Sequence, residues 1–455
     1  MRDEFVDRLR SVLGEVVDDP EILESFRNDH ATFCTAGVPR VLVRPTSTAE
    51  VQEVLKVASE FRVPVVTQGA RTGLSGAANA IDGCLLLSTS RMARILEVSA
   101  EDQVAVVQPG VVNAELSRAV LEQGLFYPPD PSSWEMSTIG GNIATNAGGL
   151  CCVKYGVTSD FIRGLEVVLA SGEVVRTGRR AAKGVAGYDL TRLIVGSEGT
   201  LGVVTEATLA LRPAPEAALT AAATFRSIED GIAAAAAIMA SGLRPSLLEF
   251  LDQPTVRAIQ DYRDMGLPAE AGSMLMAQSD RGARAADDVA RIAEICAAHD
   301  AIDVAEASDA EESRMLLEAR RLVNASLEPL GTTLVDDVSV PRSQLVTLLR
   351  GIAEISAKYD VLICCPGHVG DGNMHPTVVF DRNDAAAEAR ALAAFGAVME
   401  LGLRLGGTIT GEHGIGTLKA RWLETELGPV GLDLHRRIKA AFDPLNLLNP
   451  GKVLL

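Results

Sequence analysis

Two of the six histidines stand at the ends of one short glycine-rich segment, GHVGDGNMH, which spans residues 367–375. Imidazole is a common metal ligand and a common general base. An Asp-Gly pair favours a two-residue hairpin turn, and such a turn at 371–372 predicts that His368 pairs with His375. Directly opposed residues have Cβ atoms ~4.5–5.5 Å apart, which suits two ligands of one zinc ion. Two solvent-facing histidines on a hairpin are the alternative interpretation.

A second segment, TGEHGIG, places Glu412 directly before His413. Adjacent residues of a regular strand face opposite sides. The flanking glycines permit an irregular backbone, which could turn both side chains the same way. Glu412 would then complete a set of two histidines and one carboxylate, and His413 would remain as a base beside the metal. A loop with a surface Glu-His pair is the alternative.

Three long glycine-rich loops form the other chemical feature: GARTGLSG, TIGGNIATNAGG and GSEGTLGVVTEATL. Glycines let backbone N–H groups approach anionic oxygens. None of the loops has the Rossmann or P-loop spacing. Long loops without structure of their own are usually functional, so three of them together indicate an extended ligand such as a dinucleotide.

The elements that position these loops predict an α+β fold. Short apolar strands are expected at 40–45 and 63–67, and a capping box from Ser47 to Glu50 begins a helix between them. Residues 165–177 predict a hairpin that turns at Ser171-Gly172. The division expected from these patterns has four parts, which are a helical lead-in at 1–37, a glycine-rich domain at 38–214, an α/β domain at 215–410 and a C-terminal segment at 411–455.

Composition narrows the classes of function. The 455 residues are too many for one ordinary core, and 47% of them are apolar. The net charge of −18 argues against a nucleic-acid partner, because phosphate binding needs a basic surface. No apolar run approaches the ~18 residues that span a bilayer, and no signal peptide is evident. We therefore expect a cytoplasmic protein, with a peripheral position at the inner membrane left open.

Seven motifs in order carry a resemblance to a known family. The chain resembles the FAD-dependent D-2-hydroxy acid dehydrogenases of the vanillyl-alcohol-oxidase superfamily, which include the FAD subunit of glycolate oxidase, D-lactate dehydrogenase and D-2-hydroxyglutarate dehydrogenase. The resemblance extends from about residue 30 to residue 455. The motifs are VPVVTQGARTGLSG, YPPDPSSWEMSTIGGNIATNAGG, VKYGVTSDFIRGLEVVLASGEVV, VGSEGTLGVVTEATL, GHVGDGNMH, GEHGIG and LNPGKVL.

The resemblance implies a two-subdomain FAD-binding domain of the PCMH type, an α/β substrate-cap domain and a C-terminal segment that returns to the flavin. FAD is expected to bind non-covalently, because the first loop contains no histidine for a covalent link. Many relatives have Arg-Gly-x-Gly-Thr there, whereas this chain has Gln68-Gly69-Ala70-Arg71-Thr72. The residues implied to contact FAD are Gly69, Ala70, Arg71, Thr72, Gly73, Ser75, Gly76, Pro129, Asp130, Ser133, Gly140, Gly141, Asn146, Gly148, Gly149, Gly199, Gly202, Val203 and Asn449.

For the reacting end of the substrate, the resemblance implies a divalent metal (zinc, manganese or iron) on His368, His375 and Glu412, with His413 as the catalytic base. Arg320 is the candidate that grips the substrate carboxylate, although Arg321 is next to it and a surface role is the alternative. The expected reaction is metal-assisted deprotonation of a small D-2-hydroxy acid, of the D-lactate or glycolate type, with hydride transfer to the flavin.

The electron acceptor is left open among a quinone, an electron-transfer flavoprotein, an iron–sulfur subunit and O2. The chain has no cysteine pattern for a cluster of its own, and a homodimer is compatible with the sequence. Three competing interpretations remain, which are a metal-free alcohol or phenol oxidase on the same scaffold, a non-haem iron enzyme, and a non-catalytic subunit of a larger oxidase that binds FAD for structure.

Overall fold

A computed structural model of the chain describes residues 3–31 and 33–454. The described residues divide into two compact units. Unit 1 comprises residues 1–149, 156–214 and 412–455, and unit 2 comprises residues 150–155 and 215–411. Both units therefore contain segments that are distant in sequence, and the C-terminal segment from Glu412 belongs to the first unit.

Unit 1 contains two principal sheets. The four-stranded sheet has the order Val16–Val17, Val41–Val43, Leu85–Ser88, Val65–Gln68, in which the last three strands are parallel. The five-stranded antiparallel sheet has the order Ile95–Ser99, Val104–Val107, Val203–Ala210, Ile162–Val168, Val174–Gly178. A small ladder pairs Arg212–Pro213 with Leu125–Phe126. The helices are Glu4–Val12, Pro20–Ser25, Thr48–Phe61, Asn113–Leu121, Ile139–Thr145, Thr158–Phe161, Leu190–Ile194 and Leu423–Phe442.

Local signals explain several of these elements. Ser47 caps the helix Thr48–Phe61 by accepting from the Glu50 N–H at 3.3 Å, which confirms the helix start that the capping box predicted. The predicted hairpin is also confirmed, because Val168 pairs with Val174 across Ser171-Gly172. Inside the last helix, Gly428 has non-helical φ and ψ, and Pro429 follows it, so the helix is kinked there.

Unit 2 is built on a seven-stranded antiparallel sheet. Its order is Asp303–Glu306, Leu219–Phe225, Ser273–Ser279, Leu247–Asp252, Gly367–His368, Asn373–Met374, Val338–Ser339. A three-stranded sheet has the order Thr332–Val335, Thr377–Phe380, Leu362–Cys364. The helices are Cys152–Tyr155, Ile228–Ala240, Gln253–Tyr262, Ala285–Ala298, Ala310–Leu316, Glu318–Leu327, Leu345–Tyr359 and Ala385–Arg404.

Each unit has its own apolar core. In unit 1 the core joins Phe5 and Leu9 of the first helix to Val51 of the capped helix and to Leu85 of the parallel strands. In unit 2 a core joins Leu251 and Met276 of the large sheet to Ile259 and Val323 of two helices. Of the helices within residues 3–31 and 33–454, none is long and apolar enough to cross a membrane.

Candidate active site

The glycine loops of unit 1 enclose a cavity at the carboxyl end of the strand Val65–Gln68. Six of the residues predicted to contact FAD line it, namely Gly69, Gly140, Gly141, Gly199, Gly202 and Val203. The cavity is also lined by residues that the sequence did not single out, which are Thr67, Gln68, Thr89, Pro109, Ile143, Ala144, Ile194, Ser197 and Val204. Most of these nine residues lie within or next to a glycine motif. Ile143 belongs to the short helix Ile139–Thr145, whose two glycines hide the helical pattern of apolar residues.

Backbone closely approaches other groups around this cavity. A Cβ atom at Gly69 would lie 2.4 Å from the Thr138 hydroxyl, and one at Gly199 would lie 2.3 Å from the Thr67 hydroxyl. Side chains larger than hydrogen would therefore displace these neighbours. At these two glycines the wall therefore offers backbone rather than side chains, which suits the close approach of an extended dinucleotide.

Buried polar atoms near the cavity also fit a polar ligand. Gln68 is buried, and its amide nitrogen donates to the carbonyls of Phe26 and Ala78, each at 2.8 Å. Its Oε1 atom has no hydrogen-bond partner among the described residues, although Gln68 lines the cavity. A buried acceptor without a partner is costly, so a ligand hydroxyl or N–H would stabilise this arrangement. The residues present therefore fit FAD.

The remaining predicted FAD residues support loops of unit 1. Asn146 adopts the left-handed conformation that ends the helix Ile139–Thr145, and its side chain accepts from the Ser159 N–H at 2.8 Å. A Cβ atom at Gly149 would lie 2.3 Å from the Asp130 carbonyl oxygen. Asn449 is buried and donates to the Glu198 carbonyl at 2.6 Å. None of these three residues lines the cavity; each fixes a neighbouring loop.

Arg71 does not present its side chain to the cavity. Its guanidinium donates to the Ser25 carbonyl and lies 4.5 Å from the centre of the Phe26 ring. The backbone φ of Arg71 is 61°, a left-handed conformation that glycine adopts without strain. The glycine that many relatives have at this position therefore matches the backbone, and the arginine compensates for its strain through these contacts.

We expect opposite results from two substitutions at Arg71. Arg71→Gly should leave the thermal unfolding temperature of the FAD-loaded protein nearly unchanged, because relief of ~1–2 kcal/mol of left-handed strain offsets the lost contacts. Arg71→Val should lower that temperature by several degrees, because a β-branched residue is strongly disfavoured there. Equal stability of the two variants, measured by differential scanning fluorimetry, would show that the loop relaxes away from this conformation.

The Glu412-His413 loop is held against the first glycine loop within unit 1. The N–H groups of Thr417 and Leu418 donate to the Ser75 carbonyl at 2.9 and 3.1 Å. The Ser75 hydroxyl donates to the His413 carbonyl at 3.3 Å. A Cβ atom at Gly148 would lie 2.4 Å from a Glu412 carboxylate oxygen. The predicted base and the predicted carboxylate ligand are thus assembled on the loops predicted for FAD.

Glu198 also holds the Glu412-His413 loop, through hydrogen bonds to its backbone. Its two carboxylate oxygens accept from the N–H groups of Ile415 and Gly416 at 2.7 and 2.8 Å. Burial of the side chain raises the pKa of Glu198 to about 7. Gly199 and Gly202 of this motif were predicted site residues but Glu198 was not, because a glutamate in a glycine-rich loop is ordinarily solvated.

The raised pKa of Glu198 predicts a pH-dependent contribution to stability. Between the unfolded value near 4.5 and the folded value near 7, the folded state binds more protons, so stability from this group falls as pH rises. The full change is about 3 kcal/mol. We expect the unfolding temperature of the wild type, relative to Glu198→Gln, to be higher at pH 5 than at pH 8. A difference that does not vary with pH would contradict this assignment.

In unit 2 the two motif histidines lie close together, but the predicted register of their hairpin is wrong. His368 pairs with Asn373 and Gly367 with Met374, so four residues rather than two form the loop. A type I′ turn needs a positive φ at both central residues. Here Gly372 has a φ of 91°, but the φ of Asp371 is not positive. Asp371 instead accepts from the Asn373 N–H at 3.1 Å.

The histidines still share one face, because the register differs from the predicted one by an even number of residues. Their ring centres are 4.9 Å apart with an interplanar angle of 84°. His368 and His375 are both buried, at 5% and 7% exposure. Each offers a ring nitrogen within 4.8 Å of one on the other. Two imidazoles that lie close together with nearly perpendicular rings can both bind one divalent metal through a ring nitrogen.

Arg320 lies near the histidines through a shared carboxylate. Glu249 is fully buried, and its two oxygens accept from Arg320 Nε and from His368 Nδ1, each at 2.6 Å. Burial by itself would raise the pKa of Glu249, but the adjacent His368 and Arg320 outweigh burial and hold it below the ordinary value. Glu249 was not found from the sequence, because one acid among the apolar residues of the strand Leu247–Asp252 gives no sign of its distant partners.

Comparisons with known proteins give a consistent result. Residues 39–178 match the model described as the FAD binding domain, and residues 214–453 match the model of the C-terminal domain of FAD linked oxidases. The glycolate oxidase subunit GlcD of Bacillus subtilis is 47% identical over 92% of this chain and 89% of its own length. D-lactate dehydrogenase of Anaerostipes hadrus is 35% identical over 99% of this chain and 97% of its own.

Solved structures agree at the level of the fold. A substrate-bound p-cresol methylhydroxylase structure superposes with a TM-score of 0.82 at 19% identity, and the match covers 99% of this chain and 96% of that one. The 4-ethylphenol oxidase from Gulosibacter chungangensis superposes with a TM-score of 0.79 at 20% identity, with the same two coverages. At such identities the likeness concerns architecture alone, and it bears out the expected mixed helix and sheet fold with an FAD-binding domain of the PCMH type.

Proposed function

Because this chain belongs to the FAD-linked oxidases and is an FAD-dependent hydroxy acid oxidoreductase, we propose that it oxidises a small D-2-hydroxy acid to the 2-keto acid. A substrate of the D-lactate or glycolate type is supported by the relative named glycolate oxidase subunit GlcD, at 47% identity over 92% of the chain. Bound FAD supplies the hydride acceptor for this oxidation. The glycine-walled cavity of unit 1 is its proposed site.

We also propose that His368, His375 and Glu412 hold a divalent metal, which is zinc, manganese or iron. The close imidazole pair in unit 2 supports the first two ligands. Glu412 is the proposed third ligand, because its carboxylate would complete a set of two histidines and one carboxylate, a combination that binds divalent metals.

In this proposal the metal, His413 and Arg320 each have a separate role in the reaction. Metal coordination would supply a Lewis acid that lowers the pKa of the substrate hydroxyl. His413 removes the hydroxyl proton, a step that imidazole performs well near neutral pH. Arg320 uses Nε for Glu249, and no described residue accepts from its two Nη groups. That remaining fork is suited to the substrate carboxylate.

We propose in addition that the electrons pass to a partner. Relatives at 47% and 39% identity carry the name glycolate oxidase subunit GlcD, which supports a separate subunit in the working enzyme. An iron–sulfur protein, an electron-transfer flavoprotein, a quinone and O2 are the acceptors to compare. Reoxidation of the substrate-reduced protein by each acceptor, followed by return of flavin absorbance, identifies the competent one.

Anaerobic bleaching of the flavin tests the proposed reaction directly. The purified FAD-loaded protein is mixed with D-lactate, L-lactate, glycolate and D-2-hydroxyglutarate, and the absorbance of the oxidised flavin is followed. We expect rapid bleaching by D-lactate or glycolate. Rapid bleaching by L-lactate alone would overturn the stereochemical proposal, and no bleaching by any of the acids would overturn the substrate class.

A further inference from the structure

Glu249 joins the two parts of the site that lie in unit 2. It belongs to the strand Leu247–Asp252, whereas His368 belongs to the strand Gly367–His368 and Arg320 to the helix Glu318–Leu327. Its two oxygens divide between these neighbours, because Oε1 contacts His368 Nδ1 and Oε2 contacts Arg320 Nε, both at 2.6 Å. One buried carboxylate therefore fixes a predicted metal ligand and a predicted substrate ligand together.

The contact with His368 selects one form of the ring. A carboxylate has acceptor sites only, so a hydrogen bond at 2.6 Å requires the proton to be on Nδ1 of the imidazole. The lone pair of the neutral ring is then on Nε2, the nitrogen that points away from Glu249. Metal-binding histidines commonly use such a carboxylate partner to set the tautomer and the ring direction.

The contact with Arg320 likewise sets a direction. Because Nε donates to Glu249, the guanidinium is held along one edge, and the end that carries the two Nη groups is directed away from that hydrogen bond. The side chain of Arg320 is 19% exposed whereas Glu249 is fully buried. Arg320 therefore keeps some exposure to solvent although the carboxylate that holds its Nε is fully buried.

We propose that Glu249 is a positioning residue that presents Nε2 of His368 to a divalent metal and the Nη edge of Arg320 to the substrate carboxylate. This inference rests on the proposed function, since it assigns Glu249 a role toward the metal and substrate named there. Glu249 touches neither of them itself. Its effect is exerted through the two side chains that it orients, so metal affinity and substrate affinity should depend on the same residue.

Glu249→Gln is the sharpest substitution, because it preserves shape but not the pattern of acceptors. A glutamine has one oxygen and one NH2 group, so it cannot accept from His368 and Arg320 at once. If the NH2 group faces His368, the imidazole proton moves to Nε2 and the metal-binding lone pair is lost from that position. If it faces Arg320, two donors oppose each other and the guanidinium reorients.

The experiment measures zinc binding to the FAD-loaded, metal-stripped protein by isothermal titration calorimetry. We expect Glu249→Gln to weaken zinc binding by about 10–100-fold, and to raise KM for D-lactate or glycolate more than it lowers kcat at saturating zinc. Glu249→Asp, which keeps both acceptors on a shorter chain, should fall between the wild type and Glu249→Gln in zinc affinity.

Asp288→Asn provides a matched control in the same unit. Asp288 is also a buried carboxylate, and it bridges the Ser279 hydroxyl at 2.6 Å and the Arg281 guanidinium at 3.2 Å. Its replacement removes a comparable buried interaction without touching His368 or Arg320. Zinc affinity equal to that of the wild type is expected, whereas a loss matching that of Glu249→Gln would show a general effect of buried charge and overturn the proposal.

The outcomes separate this inference from the proposed function. If the wild type binds no zinc and His368→Ala makes no difference, the proposed metal site fails. If the wild type binds zinc through His368 and Glu249→Gln binds it equally well, the role of Glu249 fails alone. A measurement on the unmutated fold gives a further test, because ¹⁵N shifts of labelled histidine, assigned with His368→Ala, report the tautomer. A neutral His368 ring with its proton on Nε2 rather than Nδ1 in the zinc-free wild type would overturn the proposal.

Discussion

Replacing His413 by alanine should slow reduction of the bound flavin by about 10²–10⁴-fold, the usual contribution of a positioned general base. The substrate hydroxyl must lose its proton as the hydride departs, and alanine offers no group to accept it. FAD should remain bound, because His413 is not among the residues that line the cavity of unit 1, the proposed FAD site. Anaerobic stopped-flow bleaching by D-lactate or glycolate measures the rate, and the ratio of flavin to protein absorbance measures FAD retention.

The backbone around His413 should survive this substitution. The loop is held by Ser75 and Glu198 through backbone atoms of residues 413, 415 and 416, not through the imidazole. His435→Ala is the matched control, since His435 is exposed and its ring contacts only the Gly431 carbonyl among the described bonds. Near-wild-type reduction by His413→Ala, or an equal loss in His435→Ala, would exclude His413 as the base.

Patterns that depend on neighbouring residues were predictable from the sequence. The capping box located the start of the helix Thr48–Phe61, and Ser171-Gly172 located the turn between the strands Ile162–Val168 and Val174–Gly178. Both signals arise from contacts three or four residues apart, which the chain itself brings together. By contrast, the short helix Ile139–Thr145 was missed, because two glycines near its start lower helix propensity. Burial of Ile139 and Ile143 and the Thr138 cap support the helix instead.

Features set by tertiary contacts were less accessible. The hairpin register was wrong by two residues because the φ of Asp371 follows from packing rather than from residue type, yet the even offset kept His368 and His375 on one face. The assignment of residues 150–155 to unit 2 also has no local signal. The roles of Glu249 and Glu198 could not be predicted for the same reason. Each carboxylate accepts hydrogen bonds from residues that are distant in sequence and come close only in the folded chain.

Removal of the divalent metal should abolish turnover while leaving FAD in place. Lewis-acid activation contributes several kcal/mol to such reactions, so dialysis against EDTA should lower the rate of flavin reduction by about 10³-fold or more. The flavin cavity and the histidine pair are built from different segments, the glycine loops of unit 1 and the 367–375 hairpin of unit 2. Glu412 belongs to unit 1 but, like the two histidines, is not among the residues that line the cavity, so loss of metal should leave FAD bound.

Substitution separates chelation of the bound metal from other effects of EDTA. His368→Ala should reproduce the loss, and added zinc or manganese should restore the stripped wild type but not the variant, because a ligand is missing only in the latter. His299→Ala is the control within unit 2, since His299 lies at the end of the helix Ala285–Ala298 and belongs to neither motif. Full activity after exhaustive chelation would instead favour a metal-free alcohol oxidase mechanism, in which His413 alone must deprotonate an uncoordinated hydroxyl.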